Sequence, residues 1–234
     1  MSGTWPSNST PGGVPDAGVD RGVAVSAALS IGELLTVPRL SPQRRARLVR
    51  LQRKLALAKR GSKRRAGTKR AIARLRARET DIRKDWAEKV STDLAQRFDV
   101  IRVEDLKIRN MTRSARGTRE QPGRNVRQKA GLNREIMRSG WGLLVKRLED
   151  KPPGRVEHVP PAFTSRRCSA CGRVSADNRK SQADFACTAC GLACNADVNA
   201  ARNIAAGHAV TARGGPPPGG PTNREPQLLP PSVQ

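Results

Sequence analysis

Two Cys-x-x-Cys pairs, Cys168-Ser-Ala-Cys171 and Cys187-Thr-Ala-Cys190, form the stretch of sequence that decides how this chain is organised. Residues 172–186 separate the pairs, and this spacing is typical of four-thiolate zinc sites. Two short hairpins can supply the tetrahedron of soft donors that Zn²⁺ prefers without a large core. We therefore predict a zinc ribbon over residues 163–194, with one structural Zn²⁺ bound by four cysteines: Cys168, Cys171, Cys187 and Cys190.

A pair of disulfides is the alternative use of these cysteines. Nothing in the sequence is typical of a secreted protein, and thiols in a reducing cytosol bind metal rather than pair. Gly172 and Gly191 follow the two pairs and let the backbone turn back toward the sulfurs, which also favours a metal site. The fifth cysteine, Cys194, fits a small buried hydrophobe, a substitute ligand or a spare thiol, and we favour the first.

The segment directly after the ribbon, residues 195–206, predicts a helix. Asn195 can cap its start, and Ala, Val, Asn and Ile fill the first turns. Asp197 lies in the first turn, where an aspartate commonly does no more than offset the helix dipole. Position alone therefore gives Asp197 no chemical role.

Composition restricts the class of partner. The chain has 234 residues, enough for one substantial domain with appendages. Its 45 Lys and Arg residues against 20 Asp and Glu give a net charge of +25, which attracts polyanions and above all nucleic acid. Aromatic residues make up only 3% and tyrosine is absent, so phosphate contacts should outweigh base stacking.

The sequence carries no membrane or export signal. No apolar run approaches the roughly 18 residues that span a bilayer. The N-terminus lacks a basic segment followed by an apolar one. We expect a cytoplasmic protein, without a membrane partner, that acts where DNA or RNA is.

The N-terminal part of the chain changes character near residue 16. Residues 1–15 are rich in Ser, Pro, Gly and Thr and predict a disordered leader. Residues 17–37 alternate short apolar runs with glycine, which predicts two or three antiparallel strands. Asp20 lies within the first of these strands, where an aspartate is disfavoured. It is there either because it faces water at an edge or because it serves chemistry.

A basic helical hairpin is predicted over residues 39–97. From Arg39 to Arg78 there are seventeen Lys or Arg residues and no Asp or Glu, and apolar residues recur at three- and four-residue spacing. Glycines at 61 and 67 predict a break between two helices. A solvated charged face is the alternative, but such a face normally mixes both signs. We expect an apolar stripe of the hairpin to pack on the sheet. We expect eleven basic residues to bind nucleic acid: Arg44, Arg45, Arg47, Arg50, Arg53, Lys54, Lys59, Arg60, Lys63, Arg64 and Arg65.

A second acidic position follows the hairpin. Residues 98–103 predict a buried strand that ends in Glu104 and Asp105, two carboxylates that belong either to an acidic site or to an ordinary turn or helix cap. The remaining predicted elements are a mobile basic loop (109–130), a helix (132–148), a strand (156–159) and a disordered Pro- and Gly-rich tail (206–234).

The order of these motifs resembles that of a RuvC-like nuclease of the RNase H superfamily. It is more specifically similar to the C-terminal half of the TnpB/OrfB-type proteins of bacterial transposons, which are RNA-guided endonucleases related to type V CRISPR effectors. The resemblance covers roughly residues 17–205 and is most specific in the ribbon and the segment after it. Its motifs are Gly18-Val-Asp20-Arg-Gly22-Val, Val103-Glu104-Asp105-Leu106, Thr164-Ser165 before Cys168, Phe185 before Cys187, and Ala196-Asp197-Val198-Asn199-Ala200-Ala201.

The resemblance implies an α/β fold over residues 16–205, a mixed sheet with helices into which the hairpin and the ribbon are inserted. It also implies three catalytic carboxylates, Asp20, Glu104 and Asp197, that bind Mg²⁺ or Mn²⁺. Hard divalent cations prefer carboxylate oxygens, and a two-metal site hydrolyses phosphodiesters by activating water and stabilising the leaving oxygen. The implied partners are DNA and a guide RNA, in the bacterial cytoplasm and at the nucleoid.

One departure from the family bears on function. Full-length members carry a large N-terminal region that grips the guide RNA and recognises the target-adjacent motif, whereas a short leader precedes Asp20 here. We expect a truncated or decayed copy, a misplaced gene start, or a split protein that needs a separate N-terminal polypeptide. A conventional strand-transfer transposase is disfavoured because nothing resembles a tyrosine recombinase.

Two functions stay open. In the first, the chain is a transposon-associated, metal-dependent DNA endonuclease domain, guided by RNA when the missing region is supplied. In the second, it is a non-catalytic nucleic-acid-binding remnant of a transposon protein that keeps the hairpin and the ribbon but does not cut.

Overall fold

A computed structural model describes residues 16–151 and 154–207 of the chain. The predicted leader and nearly all of the predicted tail lie outside these residues. The described strands are β1 (Asp16–Asp20), β2 (Ala27–Leu29), β3 (Leu34–Leu35), β4 (Val100–Glu104), β5 (Val156–Val159), β6 (Asp184–Ala186) and β7 (Ala193–Asn195). The described α-helices are α1 (Pro42–Leu57), α2 (Lys63–Arg97), α3 (Ile108–Met111), α4 (Val126–Ser139), α5 (Trp141–Asp150) and α6 (Ala196–Ala205).

Five strands form one mixed sheet in the order β3-β2-β1-β4-β5. β1, β2 and β3 pair antiparallel, which confirms the strands predicted at the start of the domain. β4 and β5 run parallel to β1, and the helices α1 to α5 supply the long crossovers that parallel pairing needs. The mixed sheet with helices confirms the predicted α/β class.

The two faces of the sheet have different partners. Successive residues of a strand point to opposite faces. On β1, Ala17 and Val19 belong to the main core together with Leu94 of α2 and Leu148 of α5, all fully buried. Gly18 and Asp20 therefore point to the other face, which α6 covers. A Cβ atom placed on Gly18 would come within 2.0 Å of a main-chain oxygen of α6, so only glycine permits this contact.

The basic hairpin forms, and of the two glycines predicted to mark its break only Gly61 does so. α2 starts at Lys63 and continues through Gly67 for 35 residues, or about 52 Å at 1.5 Å per residue. The turn is made earlier, by Gly61 with a φ of +80°, and the hydroxyl of Ser62 caps the new helix by accepting from the N–H of Arg65 at 3.2 Å. Gly67 has no positive φ. A glycine inside a helix costs about 1 kcal/mol relative to alanine, which is small compared with the summed helix-forming free energy of a 35-residue helix.

The apolar stripe of the hairpin packs on the sheet over only part of its length, although the sequence predicted this for the whole hairpin. Only the second half of α2 joins the main core, through Trp86, Ala87 and Leu94. α1 packs mainly on α2 rather than on the sheet, and Leu48 is its one buried residue. Residues 42–80 therefore form an arm, named here the basic arm, whose helices support each other.

Two predictions between β4 and β5 need correction. The predicted loop of residues 109–130 is shorter, because α3 occupies its start and α4 begins at Val126. The predicted single helix of residues 132–148 is two helices, since Gly140 adopts a φ of +73°, which an α-helix cannot continue through. None of the helices in residues 16–151 and 154–207 is long and apolar enough to cross a membrane.

Candidate functional site

Two carboxylates occupy neighbouring positions at the carboxyl ends of β1 and β4. Val19 pairs with Val103 in the parallel register, so the next residues along the two strands are Asp20 and Glu104. Strand alternation puts both on the face of the sheet that α6 covers. The carboxyl ends of parallel strands are the usual location of ligand sites in α/β sheets.

The first turn of α6 brings a third carboxylate, Asp197, to the same place. The side-chain oxygen of Asn195 accepts hydrogen bonds from the main-chain N–H groups of Asp197 and the residue after it, at 3.0 and 3.2 Å, which confirms the predicted cap. Gly22, just past β1, lies beside this turn, because a Cβ atom placed on it would be 3.7 Å from Asp197 Oδ2. We call Asp20, Glu104 and Asp197 the carboxylate cluster.

Ionisation of the carboxylate cluster is costly. Burial raises the pKa of Asp20 well above its usual value, and the charges of Glu104 and Asp197 raise that pKa further. Burial also raises the pKa of Asp197. The guanidinium of Arg179 lowers the pKa of both aspartates, and its Nη2 atom lies 3.5 Å from Asp197 Oδ1. Negative charge in the cluster therefore exceeds what Arg179 balances.

Glu104 and Asp105, which the sequence leaves equivalent, differ in environment. Glu104 is 7% exposed, and the hydroxyl of Thr164 donates a hydrogen bond to its Oε1 atom. The buried guanidinium of Arg21 donates to the main-chain oxygen of Glu104. The Asp105 side chain is 45% exposed and pairs with Lys107 at 2.6 Å, a contact that lowers its pKa. Of the two, Glu104 lies in the cluster and Asp105 is an ordinary surface acid.

Four thiols come together between the two knuckles of the ribbon. The Sγ atoms of Cys168 and Cys190 lie 3.6 Å apart, as do those of Cys171 and Cys187, and all four are within 4.8 Å of one another. Four sulfurs at about 2.3 Å from one ion in a tetrahedron would be about 3.8 Å apart, so the group has the size of a thiolate metal site. All cysteines of the chain are free thiols, which contradicts the disulfide alternative.

Both knuckles use the same local backbone. Gly172 and Gly191 have φ values of +76° and +74°, in the left-handed region that favours glycine. Their N–H groups donate to the carbonyl oxygens of Cys168 and Cys187, at 2.9 and 3.1 Å, and close each turn. The main-chain N–H groups of Cys190 and Ala189 lower the pKa of Cys187 to about 6, whereas the neighbouring thiols outweigh the N–H of Leu192 and raise the pKa of Cys190 to about 12.

The fifth cysteine lies outside this group. Cys194, on β7, is half-buried and packs against the small apolar core of the ribbon, next to Phe185 and Ala196. Burial raises its pKa. Its surroundings therefore fit the predicted small hydrophobe better than a ligand.

The basic arm presents charge of one sign to solvent. Of the eleven residues predicted to bind nucleic acid, all but Arg65 are exposed. Ion pairs flank this stretch, at Arg39 and at Arg76, rather than neutralising it. Arg65 is half-buried, and its Nη1 atom donates to the carbonyl oxygens of Leu55 and Ala58, at 2.6 and 3.0 Å. Arg65 thus closes the C-terminus of α1, and we assign it to the turn of the hairpin rather than to phosphate.

Three side chains at the cluster had no role predicted from the sequence. Arg21 directly follows Asp20, and a basic residue beside a strand aspartate is a signal that could have found it. Thr164 belongs to a motif of the resemblance, but nothing in its position indicates a contact with residue 104. Arg179 lies in a polar run of the ribbon and looks like a solvated charge. Its placement depends on Asn178, whose buried amide donates to main-chain oxygens of the first knuckle and accepts from the second.

Two protein families match the chain. The family described as "Probable transposase" matches residues 6–115, and the family described as "Cas12f1-like, TNB domain" matches residues 141–204. The first match contains Asp20 and Glu104. The second contains the four clustered cysteines and Asp197.

Two curated proteins are similar over most of the chain. One, the putative RNA-guided DNA endonuclease InsQ of Escherichia coli (strain K12), is 45% identical over 201 residues, which are 84% of this chain and 50% of that protein. The other, a putative RNA-guided DNA endonuclease of Streptomyces pristinaespiralis, is 34% identical over 202 residues, 84% of this chain and 46% of that protein. The chain spans about half the length of these relatives. Among solved structures, the Cas12f1–sgRNA–target DNA complex matches with a TM-score of 0.46 and 21% identity, over 84% of this chain and 50% of that chain.

Proposed function

The chain belongs to the TnpB/OrfB family of transposon-encoded proteins, which is related to the type V effectors, and we propose that it is a metal-dependent DNA endonuclease domain. Its reaction would be hydrolysis of a DNA phosphodiester, with Asp20, Glu104 and Asp197 as the catalytic residues. The observation that carries this proposal is that β1, β4 and α6 gather three carboxylates at one end of the sheet, although this raises the cost of ionising Asp20. Structural stability gives no reason to gather such groups, whereas a divalent cation site requires them.

The donor set fits Mg²⁺ or Mn²⁺. Carboxylate oxygens are the ligands that these hard cations prefer, and the excess negative charge of the cluster is what a bound cation would offset. Within residues 16–151 and 154–207, only the cysteines bring three or more ligand atoms all within 4.8 Å of one another, so the carboxylates are spread more widely. Mg²⁺ and Mn²⁺ keep several waters and take one or two carboxylates each, so the three acids need not all bind one ion.

Each carboxylate of the cluster would be a ligand of the metal ions. Asp20 and Glu104 would bind the metal ions from the carboxyl ends of β1 and β4, and Asp197 would bind them from the first turn of α6. The ions, when bound, polarise the phosphate and lower the pKa of a coordinated water. Because burial and its neighbours raise the pKa of Asp20, this carboxyl group must lose a proton before an ion can bind. Cleavage should therefore weaken as the medium is acidified.

Arg179 is suited to bind the substrate phosphate. Its side chain is 20% exposed, and its guanidinium donates to the main-chain oxygens of Ser181 and Gln182 at 3.3 and 2.9 Å. Its contact with Asp197, at 3.5 Å, is loose enough to be exchanged for a phosphate oxygen. A fixed positive charge beside the scissile group would stabilise the charge that develops during cleavage.

The four clustered cysteines are proposed to bind structural Zn²⁺. Four thiolates complete a tetrahedron and leave no open position for substrate, so this ion would hold the ribbon together without taking part in chemistry. The basic arm is proposed to bind the phosphates of DNA or of a guide RNA. The names of the two relatives support guidance by RNA, which would need the region of those proteins that this chain does not span. We place this activity on bacterial DNA, in the cytoplasm.

The second candidate is a nucleic-acid-binding protein that does not cut. The observation that favours it is that the basic arm exposes ten of its eleven predicted contact residues, a surface that binds polyanions whether or not the cluster cuts. The basic arm and the ribbon would then keep their binding role while the carboxylate cluster stays idle.

Cleavage of single-stranded DNA separates the two candidates, because a single strand needs no unwinding. We expect Mg²⁺ or Mn²⁺ to support cutting, and Asp20→Ala, Glu104→Ala and Asp197→Ala each to reduce the rate more than about a hundredfold, since even outer-shell partners of metal ligands cost about 10- to 100-fold. Asp105→Ala is the matched control and should cut normally. DNA affinity should stay nearly unchanged in all four variants.

A contaminating nuclease would be indifferent to all of these substitutions. Activity retained in the triple variant would therefore contradict the assignment. If the wild-type chain is inactive alone, the region of a relative that this chain does not span is added as a separate polypeptide with a guide RNA. Failure of that mixture, with fold and metal content intact, would favour the non-cutting protein.

A further inference from the structure

The segment that opens the ribbon reaches Glu104 of the carboxylate cluster through a hydroxyl group. Thr164, four residues before Cys168, is 4% exposed, and its Oγ1 atom donates a hydrogen bond to Glu104 Oε1. The other acceptor within reach, the carbonyl oxygen of Pro161, is farther away at 3.4 Å. Glu104 and Thr164 are 60 residues apart in the sequence, so only the docked ribbon brings them together.

Two buried asparagines of α6 fix the segment that carries Thr164. Asn203 donates through Nδ2 to the main-chain oxygens of Thr164 and Arg167, at 2.9 and 2.8 Å. Asn199, one turn earlier, donates to the same Arg167 oxygen at 2.7 Å and accepts from the N–H of Ser169 at 3.0 Å. Both asparagines are at most 1% exposed. Because these buried side-chain amides make several hydrogen bonds to the segment, they define one position of the segment relative to α6.

The same helix therefore sets two members of the site at once. α6 carries Asp197 in its first turn, and through its asparagines it holds the segment whose threonine contacts Glu104. The last torsion angle of a glutamate side chain has a broad distribution, so the position of the backbone alone does not fix the direction of the two carboxylate oxygens. A hydrogen bond from the Thr164 hydroxyl, whose own segment is held in place, restricts that torsion angle.

We propose that Thr164 is a positioning residue, through which the ribbon sets the orientation of the Glu104 carboxylate for metal binding. The inference rests on the proposed function, since it concerns how Glu104 meets a divalent cation. It adds that the cysteine site and the carboxylate cluster are coupled, although the ion in one takes no part in the chemistry of the other. Groups that orient metal ligands in this way commonly influence affinity as much as some ligands do.

Binding of Mn²⁺ to the full chain with its zinc in place, measured by calorimetry, tests the proposal. Thr164→Val keeps the shape of the side chain and removes the hydroxyl, and should weaken Mn²⁺ binding about 10- to 100-fold. Thr164→Ser keeps the hydroxyl and should bind Mn²⁺ nearly as wild type does. Zinc content should be equal in all three proteins, which shows that the ribbon is folded.

A double-mutant cycle assigns the effect to Glu104. In a Glu104→Ala background, Thr164→Val should cause little further loss of Mn²⁺ affinity, because the acceptor of the Thr164 hydrogen bond is already gone. Equal losses in both backgrounds would show that Thr164 acts through something other than Glu104.

The coupling should also run from the cluster to the ribbon. Binding free energies are reciprocal, so saturating Mg²⁺ should raise the zinc affinity of the wild type about fivefold, as measured by equilibrium competition with a chromogenic chelator. In Thr164→Val the zinc affinity should not respond to Mg²⁺. This readout needs no DNA and no catalysis.

The possible outcomes separate this proposal from the proposed function. Wild-type protein that binds no Mn²⁺ would overturn the proposed function, and the positioning role with it. Wild-type protein that binds Mn²⁺, beside a Thr164→Val variant that binds it equally well and whose zinc affinity rises equally with Mg²⁺, would overturn the positioning role alone. Weak binding by Thr164→Val with recovery in Thr164→Ser would support both.

Discussion

The basic arm and the carboxylate cluster differ in nearly every physical respect. The arm spreads its charges over exposed helix surface, and in the described part of the chain Arg76, at the far end of the arm, is its one cation paired with a carboxylate. The cluster confines its charges to the carboxyl end of the sheet, where burial first and two neighbouring acids second raise the pKa of Asp20. One region is open, redundant and screened by salt, and the other is closed and depends on single side chains.

This difference shows how the chain divides its tasks. Exposed charges of one sign hold a polyanion without fixing its position, since each contact is weak and replaceable. A buried group of acids instead places a few oxygen atoms at defined positions, and the repulsion between these acids is relieved when a cation binds. The ribbon stands between the two types, because its cysteines are held by backbone turns while Thr164 and Arg179 extend into the cluster.

The largest effect is expected from the cysteine site. Cys187→Ser should abolish zinc binding and unfold the ribbon, because structural zinc sites of this type supply about 10 to 16 kcal/mol of apparent binding energy. Elemental analysis of the purified protein measures the metal directly. Cys194→Ser is the matched control and should leave the zinc content unchanged. A protein without zinc, or with zinc that survives Cys187→Ser, would contradict the assignment.

An intermediate effect is expected from the arm. Replacing Arg44, Arg47 and Arg50 by Gln should weaken DNA binding regardless of sequence. It should also flatten the dependence of log K on log salt by about 0.9 for each duplex phosphate that the arm no longer neutralises. The measurement is a salt titration of binding to a labelled duplex.

The control for the arm removes the same charge elsewhere. Lys89, Lys146 and Arg147 are exposed on the body of the domain but are paired with acids there. Their replacement by Gln should leave the salt slope nearly unchanged. Equal slopes for the two triple variants would show that net charge, and not the arm, binds the DNA.

The smallest effect is expected on stability. Asp20 has a pKa raised by burial first and then by Glu104 and Asp197, so its ionisation favours the unfolded state at neutral pH. Asp20→Asn should therefore increase the free energy of unfolding without Mg²⁺, by about 0.5 to 2 kcal/mol, as relief of strain at functional sites commonly does.

The pH dependence of that difference sharpens the prediction. A carboxyl group with a raised folded-state pKa contributes stability below its unfolded-state pKa and loses that contribution as the pH rises through the folded-state pKa. The advantage of Asp20→Asn should accordingly shrink as the pH is lowered from about 7 toward about 4, because the wild-type carboxyl group then becomes protonated. Urea unfolding of both proteins without Mg²⁺ measures it. An advantage that grows on acidification would contradict a raised pKa.

The sequence predicted the parts of this molecule that local chemistry determines. The Cys-x-x-Cys-Gly turns, the Asn195 cap and the early antiparallel strands follow from residue type and short-range spacing, and all three are confirmed. The ends of helices were predicted less well: Gly67 is tolerated inside α2, whereas Gly140 ends α4. The same residue type gave opposite outcomes, since the backbone angle depends on packing that spacing does not reveal.

The side chains around the cluster could not be predicted for a different reason. Each of these side chains contacts a residue of the cluster that is distant in the sequence: Thr164 and Arg21 contact Glu104, and Arg179 contacts Asp197. Threonine and arginine are also common on any protein surface, so residue type alone does not single them out. Glu104 and Asp105 were equivalent until strand alternation and burial separated them. Long-range geometry, rather than local pattern, decides which charged residue is part of a site.

The most direct test of the carboxylate cluster is the number of Mn²⁺ ions that the zinc-loaded chain binds without DNA. The proposed site predicts two ions per wild-type chain at saturation, as in two-metal nucleases, and a clear loss of at least one in Asp20→Asn and in Asp197→Asn. Asp105→Asn, whose acid lies outside the cluster, should bind as wild type does. The same Mn²⁺ count in the wild type and in a variant lacking all three acids would contradict the assignment of the metal site to Asp20, Glu104 and Asp197.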